Sequence, residues 1–347
     1  MADSRIISSD LGTMFFQVAE LDENKKVNIQ TIRNAFVELQ ETDDMESILR
    51  QNQWKYVKDG NKYYIIGEDA LKVARMFPGK VELRRPMQNG VLNKGEDKKI
   101  MVLAELIAST IGDAPDDKSL VCFCISSPSV DDLVDSTFHK ARVESMFTRK
   151  GWKTKVIEEG YAVILSERPT ITDDKGNEVP YSGIGISFGS GKVNCVLAYR
   201  GLQVLGMSVG RSGDFIDQQV ALQTDTPIAQ ITAKKEKELD FDNINYDDDV
   251  IFALDAYYTE MIKYVFDHFA KQFVKVKSEF DAPLEIVLAG GTSMPKGFTK
   301  KVEKVVQGLS LPFKIKGVRR SDDPRNSVVK GCLSQALITH KKMFKGS

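Results

Sequence analysis

Three short glycine-rich stretches hold the residues that could do chemistry. The last is "IVLAGGTSMPKGF", Ile286 to Phe298, which sets two glycines and two hydroxyls between an apolar run and a helix. Ile286 to Ala289 reads as a short buried strand. Gly290 and Gly291 remove side chains where the chain must turn, so a ligand can approach the backbone closely. Thr292 and Ser293 are good helix caps, and Phe298, Val302, Val305 and Val306 follow at helical spacing. A strand, a glycine turn and a helix start together suit an anion or a nucleotide. They equally suit a tight turn with no ligand. Two earlier stretches, "RIISSDLGTMFFQVAELD" and "GIGISFGSGKVNCVLAYRG", each read as apolar run, glycine turn, apolar run, which is a hairpin. Their turns are rich in backbone N–H groups and could clamp phosphates between two domains.

The elements that must position these turns alternate between strand and helix, which predicts an α/β fold. "NKYYIIGEDALKVARMF" reads as strand, turn, helix; "KKIMVLAELIASTIG" as a helix; and "SLVCFCISSP" as a buried strand ending at Pro128. "VDDLVDSTFHKARVESMFTRKG" reads as a helix with Val130, Leu133, Val134, Phe138, Ala141 and Phe147 on one side. "WKTKVIEEGYAVILSE" reads as a strand running into a helix. The polar stretch "RPTITDDKGNEVPYSG" marks a boundary loop, after which a similar order begins again. The hairpins near 6–20 and 183–200 form a weak internal repeat. "DDVIFALDAYYTEMIKYVFDHFAKQFVKV" is a long amphipathic helix whose Tyr257, Met261, Val265, Phe269 and Phe273 should face the core.

With 347 residues the chain has room for two domains, and its net charge of −1 gives no basic footprint for nucleic acid. "MADSRIISSDLG" lacks a signal-peptide core, and no window approaches the ~20 apolar residues of a membrane span. Cys122, Cys124, Cys195 and Cys332 fit no zinc pattern and are expected as reduced core thiols. These features point to a cytoplasmic protein.

The three turns form an ordered set: "DLGT" (Asp10–Thr13), "SFGSGK" (Ser187–Lys192) and "AGGTSMPKG" (Ala289–Gly297). This order resembles the actin, heat-shock chaperone and sugar kinase superfamily. Three further stretches resemble segments of the bacterial actins MreB and MamK: "IIGEDALKVARMFPGKVELRRPMQNGVL", "IEEGYAVILSE" and "GRSGDFIDQQV". The resemblance implies an actin-like (ribonuclease H-like, duplicated) α/β fold with a nucleotide cleft between two domains, each a mixed sheet flanked by helices. Domain I would span 1–170 with a small insertion about 28–78, and domain II 171–347 with a small insertion about 211–246. A C-terminal helix about 325–345 would fold back on domain I.

The resemblance also implies roles. Asp10 would hold Mg²⁺ through water, and Gly12 and Thr13 would offer N–H groups to the β-phosphate. Gly189, Ser190, Gly191 and Lys192 would form the opposing clamp, while Gly290, Gly291, Thr292 and Met294 would line the adenosine of ATP or ADP. Lys234 would sit near adenine and ribose, with Lys235 as the register alternative. Glu159 matches the carboxylate that positions the attacking water. Some positions depart from the family. Ser187 stands where an Asp is usual, Lys192 where small hydroxyl residues are common, and Ile231 where a ribose-contacting Glu is expected. Phe15 and Phe16 replace smaller or polar residues, and Gly160 replaces a proline.

The expected function is an ATP-binding actin-like cytoskeletal protein that polymerises head to tail with slow ATP hydrolysis. A chaperone would be expected to need a substrate-binding domain after residue ~345, and a sugar kinase a longer chain with a sugar-binding insert and a catalytic Asp for which no clear candidate is read, so neither is expected. The alternative is a non-polymerising nucleotide-dependent adaptor or pseudo-ATPase, which the loss of Asp at 187 favours. The expected partner is the chain itself, not nucleic acid. The basic end "ALITHKKMFKGS" reads as a solvated helix end and gives no support for membrane association.

Overall fold

The computed structural model describes residues 4–77, 79–92, 97–131, 136–167, 170–172, 176–276 and 283–344. Three strands open the chain: β1 (Ile6–Leu11), β2 (Phe15–Leu21) and β3 (Val27–Arg33). Next come β4 (Phe36–Gln40), α1 (Met45–Gln51), β5 (Tyr56–Asp59), β6 (Lys62–Ile66), α2 (Glu68–Met76), the short strands β7 (Met87–Gln88) and β8 (Val91–Leu92), and α3 (Asp97–Ile111). The first half closes with β9 (Leu120–Ile125), α4 (Thr137–Thr148), β10 (Lys153–Glu158) and α5 (Glu159–Glu167). A ribbon of β11 (Thr170–Thr172) and β12 (Glu178–Pro180) leads to β13 (Gly183–Phe188), β14 (Val193–Tyr199) and β15 (Leu202–Val209). Then come α6 (Gly213–Thr224), α7 (Ile228–Lys237), α8 (Asp249–Phe273), β16 (Leu284–Ala289), a 3-10 turn (Gly291–Ser293), α9 (Phe298–Gln307), β17 (Ile315–Arg320) and α10 (Ser327–Phe344).

The two halves build the same sheet. The first has the order β10-β9-β1-β2-β3 and the second β17-β16-β13-β14-β15. In each, the opening hairpin is antiparallel and its first strand pairs in parallel with a later one, β1 with β9 and β13 with β16. The internal repeat seen in the two hairpins therefore extends over five strands.

Side chains alternate across each sheet, so every central strand feeds two cores. Val121 and Phe123 of β9 join α3 and α4 on the outer face, while Leu120, Cys122 and Cys124 face inward. Ile286 and Leu288 of β16 pack outward with α8, and Val287 and Ala289 face inward. The inward faces meet over α5 and α10, which contribute Ala162, Val163, Val328 and Cys332 to a shared central layer. Glycine sets this spacing. A Cβ at Gly331 of α10 would lie 1.8 Å from the Ala162 carbonyl oxygen, and one at Gly185 would lie 2.2 Å from that of Gly160. A Cβ at Gly160, where the resembled family has proline, would lie 2.9 Å from the Gly185 carbonyl oxygen, so this glycine too seats α5 against the backbone of β13.

Two local expectations need correction. The buried face of α4 is His139, Val143 and Phe147, whereas Phe138 and Ala141 are exposed. The helix starts only at Thr137, so the earlier apolar positions do not share its phase; Val130 packs on the second core instead, and Leu133 and Val134 lie outside the described residues. The polar boundary stretch also contains the β11–β12 pairing, with Ile171 opposite Val179. The long helix α8 forms as read, with Met261, Val265, Phe269 and Phe273 buried. Its start is fixed by Asp248, whose Oδ1 accepts from the N–H groups of Val250 and Ile251.

Candidate nucleotide site

The three glycine turns converge on one cleft of about 440 Å³ between the halves. Asp10, Gly12 and Thr13 reach it from the β1–β2 turn, and Ser187, Gly189, Ser190, Gly191 and Lys192 from the β13–β14 turn. Gly290, Gly291, Thr292 and Met294 reach it from the end of β16, and Glu159 from the start of α5. These residues come from strand ends in both sheets, so the duplicated fold itself brings them together.

The turns touch one another. Thr292 Oγ1 donates to the Gly189 carbonyl at 2.9 Å, and Gly90 N donates to Thr13 Oγ1 at 3.2 Å. A Cβ at Gly191 would lie 2.3 Å from Thr13 Oγ1, so the two hairpin turns approach as closely as a glycine allows. The second turn is held by Gly189 N donating to the Lys192 carbonyl at 3.0 Å. Asn34 Nδ2 supports the first turn by donating to the Gly12 carbonyl at 2.9 Å. In the third turn Gly290 has φ +92°, a left-handed conformation only glycine adopts without strain. A Cβ at Gly291, by contrast, meets nothing within 4 Å.

Of the adjacent lysines Lys234 and Lys235 in α7, Lys235 lines the cleft and Lys234 does not. Lys234 pairs with Asp248 at the start of α8. One residue on, about 100° around the helix, buried Lys235 pairs with Asp217 at 2.6 Å and donates to the Gly213 carbonyl at 3.1 Å. Lys235, the register alternative, is thus the lysine that the structure places in the cleft. Ile231 faces the second core and is fully buried, whereas Glu236 lines the cleft. Lys192 is buried, and its ammonium donates to Ser129 Oγ at 2.9 Å. Phe15 lines the cleft with the Arg33 guanidinium 5.1 Å from its ring centre, while Phe16 is core.

The carboxylates define the electrostatics. Ser187 Oγ donates to Glu159 Oε2 at 3.1 Å, and Ser126 Oγ lies 3.4 Å from Oε1. Burial, with the Asp10 charge nearby, raises Glu159 to about 8. Burial likewise raises Asp10 to about 6, against the Cys124 thiol that donates to its Oδ1 at 3.3 Å. An acid with a raised folded pKa keeps its proton longer when folded. The unfolded chain ionises first, so the contribution of Glu159 to stability falls as pH rises from about 4.5 to about 8 and is constant above that. Buried His139, held down to about 4, acts in the opposite direction, but only below about 6.5. Between pH 6.5 and 8 the Tm of ligand-free protein should therefore fall, and Glu159→Gln should remove most of that slope. A Tm that rises across this window, or a Glu159→Gln profile parallel to wild type, would contradict the assignment.

Several cleft residues carried little signal in the sequence. Gln17 Nε2 donates to Asn326 Oδ1 at 2.6 Å across 309 residues, tying β2 to the start of α10. Thr31, Tyr258, Arg325 and Asn326 also line the cleft. Gly90, within the "RRPMQNGVL" stretch, was the one with a readable cue.

Duplicated sheets joined over α5 and α10, with three glycine turns facing one cleft, define an actin-like fold. A family model described as Volactin matches residues 6–336, and the chain belongs to the Volactin family. Among solved structures it is similar to "MamK double helical filament", with 18% identity, TM-score 0.67, and coverage of 96% of this chain and 99% of that one. It is also similar to "Crystal structure of MreB 5 of Spiroplasma citri bound to AMPPNP", with 13% identity, TM-score 0.65 and 100% of each chain covered. At these identities the likeness shows the fold. No curated protein matches the chain.

Proposed function

We propose that the protein binds ATP and Mg²⁺ in this cleft, hydrolyses ATP slowly and assembles head to tail into filaments in the cytoplasm. The observation that carries this reading is the convergence of all three glycine turns, with Asp10 and Glu159, on one cleft between the halves. The turns offer backbone N–H groups to phosphates, and the open space at Gly291 leaves room for the nucleoside. The names of the similar structures agree: one MreB is bound to AMPPNP and MamK forms a double helical filament.

The donor set suits Mg²⁺. Burial pushes both Asp10 and Glu159 toward the protonated form, and the Asp10 charge adds to this at Glu159, a situation a cation would relieve. Among the described residues no group of three His, Cys, Asp or Glu forms a cage of its own. Mg²⁺, which keeps waters and takes phosphate oxygens, needs only one or two carboxylates. Asp10 would hold the ion through water, and it would neutralise charge on the phosphates. Glu159, oriented by Ser187 and Ser126, would accept a hydrogen bond from the attacking water.

Among the described residues no helix is long and apolar enough to cross a membrane. The contact between Ser187 and Glu159 favours a second reading, in which Glu159 is held by its neighbours and the protein is a nucleotide-dependent adaptor without turnover. Electron microscopy and sedimentation with Mg-ATP, over a range of salt and protein concentration, decide between them. Linear filaments are expected; monomers or closed oligomers throughout would leave the adaptor reading.

A further inference from the structure

The second half of the molecule carries two unlike surfaces at opposite ends of one helix. At the N-terminal end of α8, Tyr246 and Phe252 are 62% and 55% exposed, with ring centres 6.2 Å apart. The exposed Asp247 and Asp249 flank them. At the C-terminal end lies a groove of about 400 Å³ between α9 and the edge strand β17, lined by Leu309, Leu311, Phe313 and Ile315. Its floor is tied to the last turns of α8, because Phe313 meets Phe269 at 5.7 Å and Phe273 at 4.7 Å between ring centres. The exposed Lys304, Lys314 and Lys316 border this end; Glu303 is the acidic exception in the lining. The rise along α8 separates the aromatic pair from the groove by about 30 Å.

The geometry points to a second copy of this chain as the occupant of the groove, with the acidic aromatic end of α8 in one copy seated on the basic apolar end of the next. Aromatic rings match an apolar trough, and aspartates match lysines. The two surfaces differ and sit at opposite ends of a rigid element, so the contact is heterologous and repeats from copy to copy, giving an open filament unless its rotation closes a ring. The charges favour fast encounter and correct polarity, and the apolar contact supplies most of the area. This inference rests on the self-assembly reading above and names the residues that would carry it.

The test is a charge swap read by sedimentation in Mg-ATP. One variant carries Asp247→Lys with Asp249→Lys; the other carries Lys314→Glu with Lys316→Glu. Each alone should raise the critical concentration at least about tenfold, a repulsive junction costing on the order of 1.4 kcal/mol or more. An equal mixture should regain polymer, because every junction in an alternating chain is again complementary. A separate variant, Tyr246→Cys with Leu311→Cys, keeps the charges; the native cysteines are all buried. Diamide should convert its polymers into a ladder of disulfide-linked multimers. If wild type itself never assembles, the self-assembly reading fails and this contact with it. If wild type assembles, the contact alone is overturned by swap variants that assemble like wild type, by a mixture that stays unassembled, or by oxidation that yields only monomer.

Discussion

Gly291→Val is expected to leave the fold intact and to weaken ATP binding by about a hundred-fold or more. A Cβ at Gly291 meets no protein atom within 4 Å, and the residue lacks the positive φ that would penalise a side chain. Valine would therefore cost the ligand-free protein little. Its three carbons would project into the cleft where the nucleoside must approach, and a loss of about 3 kcal/mol in binding is a hundred-fold in Kd. The neighbouring glycine gives the contrast. Gly290 has φ +92°, and its Cβ would sit 2.3 Å from the Phe188 carbonyl oxygen, so Gly290→Ala should unfold at lower temperature whether or not nucleotide is present. Thermal unfolding with and without Mg-ATP separates the two. Wild type should gain stability from nucleotide, and Gly291→Val should start at the same Tm and gain none. Equal nucleotide affinity in Gly291→Val and wild type would remove the nucleoside from this part of the cleft.

The second large effect concerns Ser187. An Asp is usual at this position in the resembled family, and the serine here donates to Glu159 Oε2 at 3.1 Å. Ser187→Asp would exchange that donor for a carboxylate that accepts hydrogen bonds from water bound to a cation. Hydrogen bonds to charged groups are typically worth ~1.5–3 kcal/mol, so if that stabilisation is felt only in the transition state, phosphate release should rise on the order of ten- to a hundred-fold. Glu159→Gln should lower whatever rate wild type shows by a similar factor while retaining nucleotide binding. Without cation, Ser187→Asp places a third carboxyl beside Glu159 and Asp10 and should lower the Tm at neutral pH, with Mg-ATP restoring it. Lys192 offers a competing account, in which it has become the balancing charge and the new Asp pairs with it. Its ammonium instead reaches Ser129 Oγ at 2.9 Å, which argues against that pairing. Measuring phosphate release for Ser187→Asp with and without Lys192→Thr settles the point. A Ser187→Asp protein no faster than wild type in either background would refute this explanation of the departure.

Much of the cleft was legible because its signals are local. Each turn is a few residues of glycine and hydroxyl between apolar runs, and the strand alternation that places Asp10 and Ser187 at strand ends is written in the same few residues. The five-strand duplication was visible only through its two hairpins, since β9 and β16 are separated from them by unlike runs of elements. The register of α7 was not legible. "IAQITAKKEK" contains adjacent lysines, and only its packing on α8 shows that the second one turns toward the cleft. The face of α4 was misread because apolar residues before the helix start were counted in its phase. Gly160 looked like a lost proline. It is the seat of α5 on β13, a contact between segments of different halves that no linear pattern records. The link from Gln17 to Asn326 was hidden for the same reason.

The central claim is that nucleotide in this cleft drives assembly of the chain. The most direct measurement is sedimentation of wild type and Gly291→Val side by side, with Mg-ATP, with Mg²⁺ alone and with neither. Wild type is expected to form pelletable filaments only with Mg-ATP, and Gly291→Val to remain in the supernatant in all three conditions while unfolding at the wild-type temperature without ligand. Filaments of Gly291→Val that appear at the same ATP concentration as wild type, or wild-type assembly indifferent to ATP, would contradict the account.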